Sequence, residues 1–399
     1  EFADYEQRLD AWNYRCLLAQ KYHVVVTNPP YMGGAGMNGK LAEFVKKNYP
    51  DSKSDLSTAF MEKTLQLCIS YGFVAMINIP VWMFLSSYEK LRAKLLSQNT
   101  ISSMVHPGRG IFGSDFGTTT FIILKQHIKN YTGAYRRLFE KQGDVESIEE
   151  REKAFRSGKG AFSAQQDNFS KIPGSPVAYW VSERIPKIYL ECQTLERTAD
   201  VRHGLSTGKN DLFVRFWTEV SWPLIDTTIK NRDEIISSNG KWFPYNKGGE
   251  FRKWYGNADY VLWYNADGQA KMASLSGHRH DGKDRYFQEG ITWSFISSSK
   301  FGVRYTPTGF AFDVAGSSMF FNADIVKYVT GLLCSHLGTF FMSIQNPTLN
   351  FQVGNLKNVP LIIREKDTVD NTVNQCIQLS RVDWDSFETS WDFTRHPLV

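Results

Sequence analysis

Tyr22-His23-Val24-Val25-Val26-Thr27-Asn28-Pro29-Pro30-Tyr31 joins an apolar, β-branched run to a stiff polar turn. Val24, Val25 and Val26 predict a buried strand of a parallel sheet. The two prolines end it, because neither has an N–H to give to a ladder. Asn28 and Tyr31 are then held on a rigid loop at the carboxyl end of a strand, where open α/β sheets bind their ligands. The amino group of adenine, cytosine, guanine or glutamine is a poor nucleophile, since its lone pair is delocalised. The Asn28 side-chain carbonyl and the Pro29 backbone carbonyl can each accept one of its hydrogens and so localise that pair. An aromatic ring beside them, Tyr31, can stack on a planar base swung out of its helix. The plain alternative is a strand followed by an ordinary Pro-Pro turn, and the strand placed directly before the motif favours the chemistry.

Outward from this junction, Met32 to Gly39 is rich in glycine and suits either close approach to a phosphate or base or a mobile surface loop. Residues 54–70 predict a helix that Ser54 or Asp55 can cap and that Gly72 terminates. Phe73 to Pro80 predicts a second buried strand, residues 87–96 a helix, Ile101 to Val105 a third strand, and Thr118 to Lys125 a fourth. The short link between the third and fourth strands allows an antiparallel hairpin and not a parallel crossover. The sum is half of a doubly wound α/β sheet with a β-hairpin edge.

Beyond residue 130 the character changes. Residues 131–190 are charged, then polar, with a Pro-Gly-Ser-Pro turn at 173–176, and predict a connecting segment. Residues 191–365 alternate short aromatic runs with Gly- and Asn-rich turns and predict a strand-rich α+β unit. Within it, residues 325–337 predict a helix, and 242–257 and 278–286 predict basic, aromatic loops. Residues 366–399 predict the start of a further helical region. The 399 residues carry a net charge of +5, 42% hydrophobic and 22% charged content, ordinary for a globular chain and mildly basic. Five scattered cysteines form no C-x-x-C pair, so a cytoplasmic setting without disulfides or a zinc site is expected. No apolar stretch is long enough to span a membrane. The chain opens without Met on a charged helical segment and closes on an apolar one, and both ends read as cut from something longer.

Taken together, these residues resemble the amino-group, adenine-specific DNA methyltransferases with a fused target-recognition domain. Within that group the chain is most similar to the PglX-type enzymes of BREX phage-exclusion systems, relatives of the type IIG restriction-modification methyltransferases. The resemblance is carried by Tyr22 to Asn38, Asp51 to Leu56, Val81 to Arg92 and Phe116 to Thr120, and in the second unit by Asn246 to Gly249, Trp254 to Asn257 and Asn346 to Thr348. It covers nearly the whole chain. The NPPY tetrad alone is shared with glutamine and RNA methyltransferases, and the ordered set is more specific.

The resemblance implies a fold: the C-terminal half of a Rossmann-like methyltransferase sheet in residues 1–130, then a target-recognition domain in 191–365. It implies methyl transfer from S-adenosylmethionine to N6 of a flipped adenine in double-stranded DNA, in phage defence or restriction-modification, with other defence proteins as possible partners. Asn28, Pro29, Pro30 and Tyr31 would form the catalytic loop. Asp55, Trp82, Phe84, Phe116 and Thr118 would line the base pocket; helix capping is the other reading of Asp55, and plain core that of Trp82 and Phe84. In the family the donor's glycine-rich loop precedes NPPY, and the 20 or so residues before the strand here contain no glycine. Most of the donor site is therefore expected outside this chain, which alone would be inactive.

Arg202, Lys209, Asn210, Lys247, Arg252, Lys253 and Arg304 are the candidate DNA contacts, since cations neutralise phosphates and arginine reads guanine edges. His278, His280 and Asp281 sit in a polar loop, and methyl transfer needs no metal, so none is expected. Two alternatives remain open: a non-catalytic DNA-recognition fragment, and an RNA or protein-glutamine methyltransferase using the same loop.

Overall fold

Helix α1 (Phe2–Ala19) leads into strand β1 (Tyr22–Thr27), which lies at the margin of a six-stranded sheet. The structure is a computed structural model, described over residues 2–111, 117–140, 145–296, 301–347 and 350–398. It divides into two units, Glu1–Glu191 and Cys192–Val399. In the first, β1 is followed by α2 (Gly39–Asn48), α3 (Leu56–Leu67), β2 (Cys68–Asn78), α4 (Glu89–Gln98), β3 (Thr100–Arg109), β4 (Gly117–Leu124), β5 (Thr132–Arg137), α5 (Ile148–Ser157), β6 (Ala161–Gln165) and α6 (Arg184–Glu191). The sheet order is β1-β2-β4-β3-β5-β6.

Strand direction decides where a site can form. β1 runs parallel to β2 and β3 parallel to β5, while β4 is antiparallel to both β2 and β3. The carboxyl ends of β1, β2, β3 and β5 therefore share one rim with the amino end of β4. The mixed α/β character is present, but the hairpin is not at the edge. β4 wedges between β2 and β3, and β5 and β6, drawn from the polar segment expected to be a connection, extend the sheet past it. Alternation of small and apolar residues in 132–137 and 161–165 is too short and too polar to announce strands on its own.

One face of the sheet holds the core. Met61 of α3 and Leu91 and Leu95 of α4 pack on Val74, Met76, Ile101, Met104, Phe121, Ile123 and Tyr135, all buried. Each such aliphatic or aromatic side chain contributes about 2 kcal/mol by leaving water. The opposite face is open: Val24 is 57% and Val26 72% exposed, with Phe73 and Ile122 also exposed. Among the described residues β1 pairs with β2 alone, and its valines are exposed here where their pattern predicts a buried strand. An apolar run reports that a strand is apolar on both faces, not that both faces are covered. The helix expected to run to Gly72 stops at Leu67, and residues 68–72 join β2, where Tyr71 adopts φ 63°. A Cβ on Gly72 would lie 2.6 Å from Cys68 Sγ and 2.7 Å from the His23 carbonyl oxygen, so only glycine lets β2 approach β1 there.

The second unit contains strands β7 (Gln193–Thr194), β8 (Ala199–Arg202), β9 (Val214–Phe216), β10 (Trp242–Asn246), β11 (Tyr260–Trp263), β12 (Gly290–Trp293), β13 (Val303–Thr306), β14 (Ala311–Phe312), β15 (Ser318–Phe321) and β16 (Pro360–Leu361). They form two four-stranded sheets, β14-β10-β11-β9 and β13-β12-β15-β8, and a β16-β7 pair. Its aromatic core includes Phe213, Phe243, Tyr245, Tyr264, Tyr286, Phe287 and Phe312. Residues 242–246, expected as loop, are a buried strand, and the helix expected over 325–337 is two, Val326–Cys334 and His336–Gln345, broken at Ser335, whose side chain caps the second. No helix among the described residues is long and apolar enough to cross a membrane.

Two buried polar groups give predictions for the first unit. Arg92, 1% exposed, donates to the carbonyls of Trp82 at 3.0 Å, Leu85 at 2.6 Å and, through two nitrogens, Gly174 at 2.9 and 2.6 Å. Arg92→Met leaves the Trp82 and Gly174 carbonyls without these donors and the Leu85 carbonyl with only the Tyr88 N–H, and should lower stability by about 3 kcal/mol, read as a fall in the urea midpoint. His106, beside the Tyr179 hydroxyl at 3.2 Å, is held down to about 3, first by burial and then by the Arg137 charge. Its unfolded-state value is higher, so the unfolded chain binds the extra proton between the two. Stability should fall as pH drops from 6.5 towards 3, by about 1.4 kcal/mol per unit from this group, and a His106→Asn variant should lose that slope in pH-dependent unfolding.

Candidate active site

The rim is built from short polar turns that tie strand ends together. At the end of β1, Pro29 is buried while Asn28 and Pro30 are exposed and Tyr31 is half-buried. The Tyr31 hydroxyl donates to Asn28 Oδ1 at 3.0 Å, and partial burial raises its pKa. The chain then runs against the amino end of α3. Leu56 N–H donates to the Met32 carbonyl at 2.9 Å and Gly34 N–H to the Ser54 carbonyl at 3.2 Å, with an antiparallel bridge between Gly33 and Asp55. The glycine-rich segment is therefore a fixed strap, and its far end, Asn38, caps α2 through Leu41 N–H at 2.9 Å.

Asp55 is the N-cap of α3. Its Oδ1 accepts from Ser57 N–H at 2.9 Å and from the Ser57 hydroxyl at 2.7 Å, and the residue is 8% exposed. The capping reading thus describes its hydrogen bonds. Asn78, at the end of β2 and fully buried, donates to the Ser57 carbonyl at 3.2 Å and accepts from Ile79 N–H at 2.7 Å. Its own carbonyl accepts from the Thr119 hydroxyl at 3.3 Å, which joins β4 to the rim. Tyr88 is buried beside Thr58, Ser54 and Asp55; burial, and secondarily the Asp55 charge, raise its hydroxyl pKa.

Ser57, Asn78, Tyr88 and Thr119 were not singled out from the sequence. Asn78 had a signal: like Asn28, it closes a β-branched strand just ahead of a proline, Pro80. The others come to the rim only through packing.

The remaining pocket candidates divide. Trp82 and Phe84 are in the core, at 0% and 4% exposure, with Trp82 edge-on to Phe121 at 5.2 Å. Neither ring offers a free face for stacking in this conformation. Thr118 is on the rim at 1% exposure, and among the described residues neither its hydroxyl nor Trp82 Nε1 has a hydrogen-bond partner. Phe116 lies outside the described residues.

In the second unit, three of the seven cationic and polar candidates are at the surface. Arg202 is paired with Asp200 at 2.5 Å and Asp284 at 3.7 Å, Lys209 is exposed, and Asn210 accepts from the Thr207 hydroxyl at 2.7 Å. Four are engaged internally. Lys247 pairs with buried Asp313 at 2.5 Å, Lys253 donates to the Cys334 carbonyl at 2.6 Å, and Arg252 lies over Trp384 at 4.9 Å and pairs with Asp383 at 3.3 Å. Arg304 is 2% exposed, its pKa lowered to about 10 by burial, and cannot reach DNA as folded. His280 meets the Tyr264 hydroxyl and is lowered to about 4, chiefly by burial. Among the described residues no three His, Cys, Asp or Glu side chains gather as a metal site.

Residues 1–112 match the Eco57I restriction-modification methylase family. The chain is 40% identical over 391 residues to "Adenine-specific methyltransferase BrxX" of Escherichia coli O9:H4 (strain HS), covering 96% of this chain and 31% of that protein. It is 39% identical over 401 residues to "Adenine-specific methyltransferase PglX" of Lacticaseibacillus casei (strain Zhang), covering 96% and 33%. The chain thus spans about a third of the length of the curated relatives it matches. In fold it is similar to the type IIL restriction-modification enzyme MmeI, solved in complex with DNA, with a TM-score of 0.60, 10% identity, and coverage of 93% of this chain and 50% of that one.

Removing the cap tests whether the strap depends on it. Asp55→Ala should cost about 1 kcal/mol of stability in urea unfolding and speed amide exchange at Gly34 and Leu56, the two donors that hold the strap.

Proposed function

We propose that the chain, 40% and 39% identical to the BrxX and PglX methyltransferases over 96% of its length, belongs to their family and serves DNA adenine N6-methylation in phage defence or restriction-modification. The observation that carries this is Asn28, exposed at the rim with its carbonyl oxygen held in place by Tyr31. A carbonyl oxygen has two acceptor sites, and Tyr31 fills one. The second can accept an N6 hydrogen, and the Pro29 carbonyl would accept the other. Withdrawing both hydrogens into hydrogen bonds returns the nitrogen lone pair from the ring to the nitrogen, where it can attack. The Tyr31 ring would stack on the extruded base, and the buried Thr118 hydroxyl would face the nucleotide.

The donor that the family implies, S-adenosylmethionine, supplies the methyl group when bound. The described residues do not make a complete cradle for it. The only element ahead of β1 among them is α1, which has no glycine, and the outer face of β1 is open. The residues here serve the acceptor side: they bind and orient the base and hold its amino group. In the second unit Arg202, Lys209 and Asn210 would meet double-stranded DNA, and Lys247, Arg252 and Lys253 would support the loops that do so. A non-catalytic recognition module would share this surface and would not need Asn28 poised at a strand end.

Asn28→Ala in the full-length protein should reduce N6-methyladenine formation by at least about a hundredfold, the scale of removing one well-placed transition-state hydrogen-bond partner. DNA affinity should stay unchanged. The test is methylation-sensitive sequencing beside a binding isotherm; undiminished methylation would remove Asn28 from the mechanism.

A further inference from the structure

The Asn28 amide has little to hold it. The backbone is fixed by buried Pro29, but the side chain is exposed, and an asparagine's terminal torsion is broad. Its two ends have nearly the same shape and opposite chemistry, a carbonyl acceptor and an NH2 donor. Turned the wrong way, the amide would present donors to the amino group it has to accept from. Among the described residues a single side-chain hydrogen bond reaches this amide, the one from the Tyr31 hydroxyl to Oδ1 at 3.0 Å.

A phenol is a better donor than acceptor, because its oxygen lone pair is shared with the ring. It therefore selects the carbonyl end. Partial burial raises the hydroxyl's pKa, so the proton that makes the bond is kept. We propose that Tyr31, besides its ring, acts through its hydroxyl as a positioning residue that locks the Asn28 amide with Oδ1 toward the target amino group. This rests on the methyl-transfer reading of the site. The lock costs the reaction no acceptor, since Oδ1 keeps a second lone pair. It also explains why an exposed amide can be pre-oriented before a base arrives.

The test is Tyr31→Phe in the full-length protein, which keeps the ring and removes the hydroxyl. Single-turnover methyl transfer should slow about fivefold, the size of one net hydrogen bond. DNA affinity should be unchanged, as should the fluorescence of 2-aminopurine at a target position that the wild-type protein methylates. In the Asn28→Asp background the two oxygens are equivalent and a half-turn is harmless, so the same substitution should cost under about twofold. An unchanged rate would overturn the proposal. So would a fluorescence change that tracks the rate loss, or a loss of equal size in the Asn28→Asp background. Where the Asn28→Asp rate is too slow to follow, the comparison of rate with fluorescence decides. A wild-type protein that transfers no methyl to adenine would instead overturn the reading of the site itself.

Discussion

Two backbone hydrogen bonds, Leu56 N–H to the Met32 carbonyl and Gly34 N–H to the Ser54 carbonyl, anchor the loop that carries Asn28 and Tyr31. They strap the segment after Tyr31 to the amino end of α3. That end is itself fastened to β2 by Asn78 and the Ser57 carbonyl, and β2 to β4 by Thr119 and the Asn78 carbonyl. Each bond is worth about 1 kcal/mol net. Their joint effect is geometric: an exposed turn becomes part of a continuous polar seam over a packed core. A loop so held keeps the Asn28 amide at a fixed height above the sheet, the positioning that the proposed reaction at a single amino group requires.

The seam depends in turn on the antiparallel strand β4. Inserted between β2 and β3, it brings Thr118 and Thr119 to the rim where the parallel strands end. Local pattern predicted the hairpin but could not place it. The hydrophobic alternation in Thr118 to Lys125 says which residues face a core, and says nothing about which neighbours supply the hydrogen bonds. That choice is settled by where later strands go, and β5 and β6 came from a segment whose polar composition hid them.

Charge was the least legible property. Arginine and lysine in aromatic loops read as a DNA surface, yet Arg304 is buried and Lys247, Arg252 and Lys253 are engaged by Asp313, Trp384 with Asp383, and the Cys334 carbonyl. Long cationic side chains cover apolar surface and satisfy stray carbonyls as readily as they meet phosphates. Their partners lie between 66 and 131 residues away for the two ion pairs, far outside any local window. Trp82 and Phe84 show the same effect in the first unit. Aromatic residues after a strand face the pocket or the core with the same sequence, and packing decided for the core.

What the sequence by itself determined is local chemistry: a β-branched strand stopped by two prolines, an asparagine and a tyrosine three residues apart, an aspartate ahead of a helix. These follow from dihedral limits, missing N–H groups and capping, all of which act within a few residues. Only the tertiary structure decided which strand lies beside which, that Asn78 and Tyr88 join the candidate site, and which cations remain at the surface. Those outcomes depend on contacts between residues far apart in the chain, whose cost in entropy is met by the whole core at once.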